Sequence, residues 1–93
     1  MSMNQKISIE NIGGNNYSIS ILDTDVSESM HTVSANPEYI KKLGWDTESI
    51  ADLLKKSFEF LLERESKESI LSSFDLHDIS KYFPEYEEYI HKS

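Results

Sequence analysis

The hydrophobic period of this chain changes once, near Asn36, and that change restricts the folds available to it. Before Asn36, apolar residues alternate with polar ones, which is the pattern of half-buried strands. After it, apolar residues recur at i, i+3 and i+4, which is the pattern of amphipathic helices. The sequence therefore predicts an α+β fold in which an N-terminal antiparallel three-stranded meander packs against C-terminal helices, one of them long and central.

Two alternating runs, Lys6–Glu10 and Tyr17–Ile21, flank a segment that favours a turn. That segment, Gly13–Asn16, consists of residues that tolerate positive φ, so we expect a hairpin. Ile12 interrupts the alternation and indicates a bulge or a strand end. A second turn and a third strand complete this half: Asp23–Ser27 and Met30–Val33.

The helical half begins with Asn36 followed by Pro37, an N-cap with proline at the first helical position, and Gly44 is placed to end that helix. Asp46 or Thr47 is expected to cap the long helix that follows. One broad apolar stripe marks this helix: Ile50, Leu53, Leu54, Phe58, Phe60, Leu61 and Leu62.

The C-terminal segment FDLHDISKYFPEYEEYI, residues 74–90, holds five of the chain's ten aromatic residues. We expect short helices here, because apolar residues recur at helical spacing and Pro84 bends the chain into a final helix. Asp75 is the expected cap of the middle helix. Helices this short do not persist alone in water, so we interpret the segment as a flap that closes the protein's own core; the alternative is a docking surface. The expected apolar sides are Ile70, Leu71 and Phe74, then Leu76, Ile79 and Phe83, then Tyr86, Tyr89 and Ile90.

Length and composition predict one domain over residues 1–93, with strands at about 6–34 and helices at about 37–91. The chain has no cysteine, so neither disulfides nor thiolate metal sites can support the fold. It has no run of 18 apolar residues and no secretion signal, and we therefore expect a cytoplasmic protein without a membrane partner.

The net charge is −8, and it is concentrated in the helical half. Residues 1–45 carry three basic and five acidic side chains, whereas residues 46–93 carry six basic and twelve acidic ones. Proteins that bind nucleic acids neutralise phosphates with lysine and arginine, so this composition argues against a nucleic-acid partner.

Asp75, His77 and Asp78 form the densest cluster of potential metal ligands or acid–base groups. Their spacing lacks the i, i+4 relation of helical metal pairs such as H-E-x-x-H, and no serine lies in a recognisable nucleophile motif. We therefore expect no catalytic residues, no metal and no cofactor. A metal-assisted hydrolase centred on these three residues is the least favoured alternative.

Three motifs mark the C-terminal half: Ser57–Glu65, Glu68–Leu71, and Phe74–Leu76 continuing through Ile79 to Tyr82–Tyr86. In these motifs the chain resembles a group of short uncharacterised bacterial proteins. It covers about half of the chain at the level of motifs. It implies a bacterial, cytoplasmic, single-domain protein, and it supplies no site residues.

These observations favour a small acidic, non-catalytic module for protein–protein interaction, acting on another protein or on a second copy of itself. Tyrosine and tryptophan are enriched where interfaces hold their binding energy. An alternative is an acidic inhibitor, similar to an antitoxin, that occupies a basic surface on its target. The residues expected to form the interaction surface are Trp45, Tyr82, Tyr86 and Tyr89.

Overall fold

The computed structural model describes residues 6–22 and 28–91, so the turn predicted at Asp23–Ser27 lies outside the described residues. Four strands form one sheet in the order β1-β2-β3-β4. The strands are β1 Lys6–Gly13, β2 Asn16–Leu22, β3 Glu28–Ser34 and β4 Ser73–Asp75. The α-helices are α1 Pro37–Lys42, α2 Ile50–Arg64, α3 Asp78–Tyr82 and α4 Tyr86–Ile90, with one-turn 3-10 helices at Thr47–Ser49 and Lys67–Ser69.

The predicted hairpin joins β1 to β2, and its irregularity falls at Ile12 as expected. The register of the two strands shifts between Asn11 and Gly13, which is a β-bulge. Gly13 and Gly14 both have positive φ, at 125° and 55°, where a side chain would be strained. The Asn11 side chain stabilises the turn, because its Nδ2 donates to the Gly14 carbonyl at 3.1 Å.

The three antiparallel strands place most of their apolar residues on one face. Ile19 and Ile21 of β2 and Val33 of β3 are fully buried, whereas Ile7 and Ile9 of β1 are only half-buried because β1 lies at the edge. The α+β class and the meander are confirmed. The opposite face of the sheet carries mainly small polar and charged residues.

The sheet has a fourth strand that the sequence did not predict. β4 pairs with β3 in parallel, with Val33 opposite Phe74. The prediction of a short helix that carries Ile70, Leu71 and Phe74 on one side was wrong. Ile70 is buried, Leu71 is 51% exposed, and Phe74 lies in the strand.

Helix α1 begins and ends where its sequence predicts. The Asn36 side chain accepts a hydrogen bond from the Glu38 N–H at 2.8 Å, and Pro37 is the first helical residue. At the other end Gly44 has φ +84°, and the Trp45 N–H donates to the Ile40 carbonyl at 3.0 Å. This is a Schellman motif, which needs the left-handed conformation that glycine supplies.

Helix α2 is the longest helix and forms the centre of the core. Asp46 accepts a hydrogen bond from the Ser49 N–H at 3.0 Å and caps the 3-10 turn that leads into it. The predicted stripe is buried, apart from Ile50 and Leu62 at its margins, which are half-buried. α2 packs on the inner face of the sheet and against α4.

The C-terminal segment folds back onto this core. Leu76 and Ile79 are buried, and Phe83 ends α3 in an extended conformation before Pro84. α4 then buries Tyr86 and Ile90. The expected cap at Asp75 is wrong in position: α3 begins three residues later, at Asp78, and the Asp75 Oδ1 accepts from the His77 N–H within the preceding turn.

Hydrogen bonds to three separate parts of the fold hold α4 in place. The Tyr39 hydroxyl donates to the Glu87 carboxylate at 2.8 Å, and the Trp45 Nε1–H donates to the Ile90 carbonyl at 2.8 Å. Because Ser57 uses its only hydroxyl hydrogen on the Leu53 carbonyl, the Tyr86 hydroxyl must donate to the Ser57 Oγ, 2.7 Å away. These bonds tie the segment to α1, to the Trp45 corner and to α2.

Candidate functional site

An apolar pocket of about 160 Å³ opens where the C-terminal end of α2 meets β4 and α3. Two exposed side chains, Leu71 at 51% and Tyr82 at 67%, lie on its rim. Its other lining residues are Leu61, Glu65, Ser69, Ile70, Phe74, Asp78, Ile79 and Phe83.

The pocket wall consists of aromatic and aliphatic residues that also pack in the core. Ile70 and Ile79 are buried, and Phe74 lies against Phe58 with ring centroids 5.9 Å apart. Phe83 meets Phe60 edge to face at 5.9 Å. A site built on packed residues is preformed, and a ligand entering it loses little free energy to reorganisation of the protein.

A buried histidine that was not among the predicted site residues fixes the pocket rim. His31 lies on the inner face of β3, and its Nδ1 is 2.8 Å from the Leu71 carbonyl. A carbonyl only accepts, so Nδ1 carries the hydrogen and donates. The Ser29 Oγ lies 2.9 Å from Nε2 and completes the pairing of the ring. The sequence does contain an indication of this role. His31 lies two residues before Val33 and shares its inward face, where a polar side chain needs a hydrogen-bond partner.

Two carboxylates stand among the apolar lining residues, Glu65 and Asp78. The Asp78 Oδ2 accepts from the Asp75 N–H at 3.2 Å, and its Oδ1 lies 3.2 Å from the Lys81 Nζ. The hydrogen bond from the Asp75 backbone, followed by the one from Lys81, holds the pKa of Asp78 below its usual range. The charge of Asp78 is thus paired with that of Lys81, and Glu65 is the other acidic side chain beside the apolar cavity.

The Asp75, His77 and Asp78 cluster has a structural explanation for each member. Asp75 accepts from the Ser34 Oγ at 3.1 Å as well as from the His77 N–H, and the His77 ring lies 4.7 Å from the Tyr39 ring. Asp78 bonds to Asp75 and Lys81. Within residues 6–22 and 28–91, no group of three or more histidine, aspartate or glutamate side chains is arranged to hold a metal ion.

The four residues expected to form an interaction surface do not lie together. Trp45 and Tyr86 are buried, and both use their polar atoms inside the protein. Tyr82 is exposed at the pocket rim. Tyr89 is half-exposed and lies on the Phe60 ring, with centroids 4.9 Å apart. Tyr82 is thus the one member of the four that lines the pocket, where Leu71 joins it.

Comparison with known proteins identifies no relative: no family model, no curated protein and no solved structure matches the chain. None of the helices in the described part of the chain is both long enough and apolar enough to cross a membrane.

Proposed function

We propose that this protein is a non-catalytic interaction module whose pocket receives one apolar side chain from a basic segment of another protein. The observation that carries the proposal is the pocket itself, a preformed apolar cavity with Leu71 and Tyr82 exposed on its rim. Interfaces draw most of their binding energy from a few anchors that fill such pockets. From the resemblance described above, we place this activity in the bacterial cytoplasm.

The volume of the pocket supports a single side chain as the occupant. A cavity of about 150 Å³ lined by leucine, isoleucine and phenylalanine accommodates one benzene ring, and this pocket measures about 160 Å³. Pockets that enclose drug-sized molecules usually measure about 300–1,000 Å³. A phenylalanine or leucine side chain therefore matches the space better than a larger metabolite does.

The acidic residues around the pocket support the proposal that the partner is basic. Glu65 and Asp78 line the pocket, and the half of the chain that contains it has twelve acidic and six basic side chains. Complementary charge at an interface accelerates association and excludes wrong partners more than it adds affinity. Lysine or arginine residues beside the anchor would meet this surface favourably.

The anchor can be tested with a peptide that has one phenylalanine flanked by two lysines on each side. Methyl signals of Leu71 and Ile79 are followed by NMR as the peptide is added, and we expect them to shift with a dissociation constant in the range of about 1 mM. The same peptide with alanine in place of phenylalanine should leave these methyl signals unchanged. Unshifted methyl signals with the phenylalanine peptide would contradict the proposal.

Two rim variants and one control sharpen the test. Leu71→Ala and Tyr82→Ala should each weaken binding about three- to tenfold, since each removes part of the apolar rim. Met30→Ala is the matched control, because Met30 is equally exposed, at 56%, but lies on the open face of the sheet.

The salt dependence of binding distinguishes this mechanism from that of a purely electrostatic inhibitor. At 0.5 M salt the Debye length falls to about 4–5 Å, so binding that depends on charge alone should disappear. Binding through the anchor should weaken and persist. Complete loss of binding at high salt, with no effect of the rim variants, would favour the inhibitor instead.

A further inference from the structure

The edge of β1 is a second surface that the pocket does not involve. β1 is the first strand in the sheet order, and no other strand among the described residues lies beyond it. An edge strand leaves a row of backbone N–H and C=O groups unpaired, and these can pair with another strand. Ile7 and Ile9 are half-buried here, whereas Ile19 and Ile21 opposite them are fully buried.

We propose that β1 pairs with β1 of a second copy of this chain, antiparallel about a two-fold axis through Ser8, and joins two sheets into one. The proposal goes beyond the function proposed above, because it concerns a different face and a different partner. In this register Lys6 faces Glu10 of the second copy, and Ile7 faces Ile9. A two-fold interface repeats every contact, so the Lys6–Glu10 pair and the Ile7–Ile9 pair each form twice.

The sequence from Lys6 to Glu10 is complementary to itself only in this register. A shift by one residue would place inward side chains opposite outward ones. A shift by two residues in either direction removes the pairing of Lys6 with Glu10 and leaves at least one isoleucine without its counterpart. Opposite charges and apolar pairs directly across an antiparallel ladder are the contacts that stabilise it.

The local geometry also sets the length of the interface. The β-bulge between Asn11 and Gly13 ends the regular part of β1, so the ladder runs over residues 6–10. Lys6, Ser8 and Glu10 are all exposed, on the face of the sheet away from α2. At the other edge of the sheet, β4 has only three residues. The Asp78 carboxylate accepts the hydrogen bond of the Asp75 N–H, so this N–H cannot pair with a further strand.

Charge exchange tests the pairing and its register. Sedimentation equilibrium over a wide dilution series should show a dimer for the wild-type chain. Lys6→Glu and Glu10→Lys should each raise the dimer dissociation constant at least about tenfold, because each variant places like charges opposite one another twice. Both positions are exposed, so at concentrations low enough to keep every chain monomeric these variants should unfold like the wild type.

Two combinations should restore the dimer. The double variant Lys6→Glu/Glu10→Lys regains both charge pairs, and an equimolar mixture of the two single variants should form a heterodimer with an affinity within about threefold of the wild type. Lys41→Glu is the matched control for the change in net charge, because Lys41 is exposed on α1; it should leave the dimer unchanged.

A wild-type chain that stays monomeric at its highest soluble concentration would overturn the proposal. So would single variants that dimerise like the wild type, or a double variant that fails to recover. None of these results bears on the pocket, because binding of the phenylalanine peptide is measured separately on Leu71 and Ile79.

Discussion

The two ends of the C-terminal segment contain similar residues but differ in how the protein uses them. At the α4 end Tyr86 and Ile90 are buried, and polar bonds tie the helix to α1, α2 and the Trp45 corner. At the α3 end Tyr82 stays exposed and, together with Leu71 just before the segment, borders an apolar pocket. Aromatic content therefore does not distinguish core residues from exposed ones. A tyrosine whose hydroxyl is paired inside the protein belongs to the core, whereas an exposed tyrosine beside a cavity leaves its ring accessible to solvent.

The largest effect on stability should come from removing the whole C-terminal segment, with both its α3 end and its α4 end. A chain ending at Ser73 loses four fully buried side chains, Leu76, Ile79, Tyr86 and Ile90. Each contributes about 1.5–3 kcal/mol by burial, whereas a whole domain is stable by only about 5–15 kcal/mol. We expect no cooperative thermal transition by circular dichroism. An undiminished melting temperature would show that the segment does not complete the core.

Alanine substitutions at the two ends should differ by several kcal/mol in their effect on the free energy of unfolding. Tyr86→Ala should lower the free energy of unfolding by about 3–5 kcal/mol, because it leaves a cavity beside Phe60 and Ser57. Tyr82→Ala, its counterpart at the pocket rim, should change it by less than about 0.5 kcal/mol. Urea denaturation measures both values. Similar losses for the two variants would mean that the α3 end is as much a part of the core as the α4 end.

The α4 end should make the protein sensitive to alkali. Burial raises the pKa of Tyr86 above its usual range, and burial together with the hydrogen bond to Glu87 does the same for Tyr39. A raised folded-state pKa gives stability that is present below the unfolded value of about 10 and is lost as the pH rises above it. The melting temperature should therefore begin to fall at about pH 10 and should continue to fall as the pH rises further.

Phenylalanine variants identify the source of this alkaline loss. Tyr86→Phe should cost about 1 kcal/mol at neutral pH, since it removes one buried hydrogen bond, and it should reduce the alkaline decline. Tyr39→Phe should reduce the decline as well. Tyr82→Phe is the control, because Tyr82 is exposed. An alkaline decline that persists unchanged in the Tyr39→Phe/Tyr86→Phe double variant would contradict the assignment.

The smallest effect on stability should come from Asp78, at the α3 end, and should appear at acidic pH. The pKa of Asp78 lies below its usual range, so its contribution to stability is present above the ordinary value near 3.8 and is lost as the pH falls through the folded value. Asp78→Asn should therefore flatten the decline in melting temperature below about pH 4. Asp52→Asn, an exposed position in α2, is the control. Identical acid profiles for the wild type and Asp78→Asn would contradict the prediction.

The sequence predicted the local elements well because each had a local cause. The hairpin follows from two glycines at a turn, α1 from the Asn36 cap and Gly44, and α2 from a long apolar stripe. The pocket was not predictable in this way, because its walls come from four separate segments. His31 illustrates the difference: it sits on an inward strand position, but its partner, the Leu71 carbonyl, is forty residues away.

The sequence by itself determined that an alternating half would form strands, that a periodic half would form helices, and where the hairpin turn and both ends of α1 lie. Only the tertiary structure decided that Phe74 joins the sheet as part of β4, that Tyr86 is core, and that Tyr82 and Leu71 frame a pocket. The physical reason is the range of the interactions. Caps, turns and amphipathic stripes act within a few residues, whereas a three-residue strand is stable only through its pairing with β3 and its packing against α2.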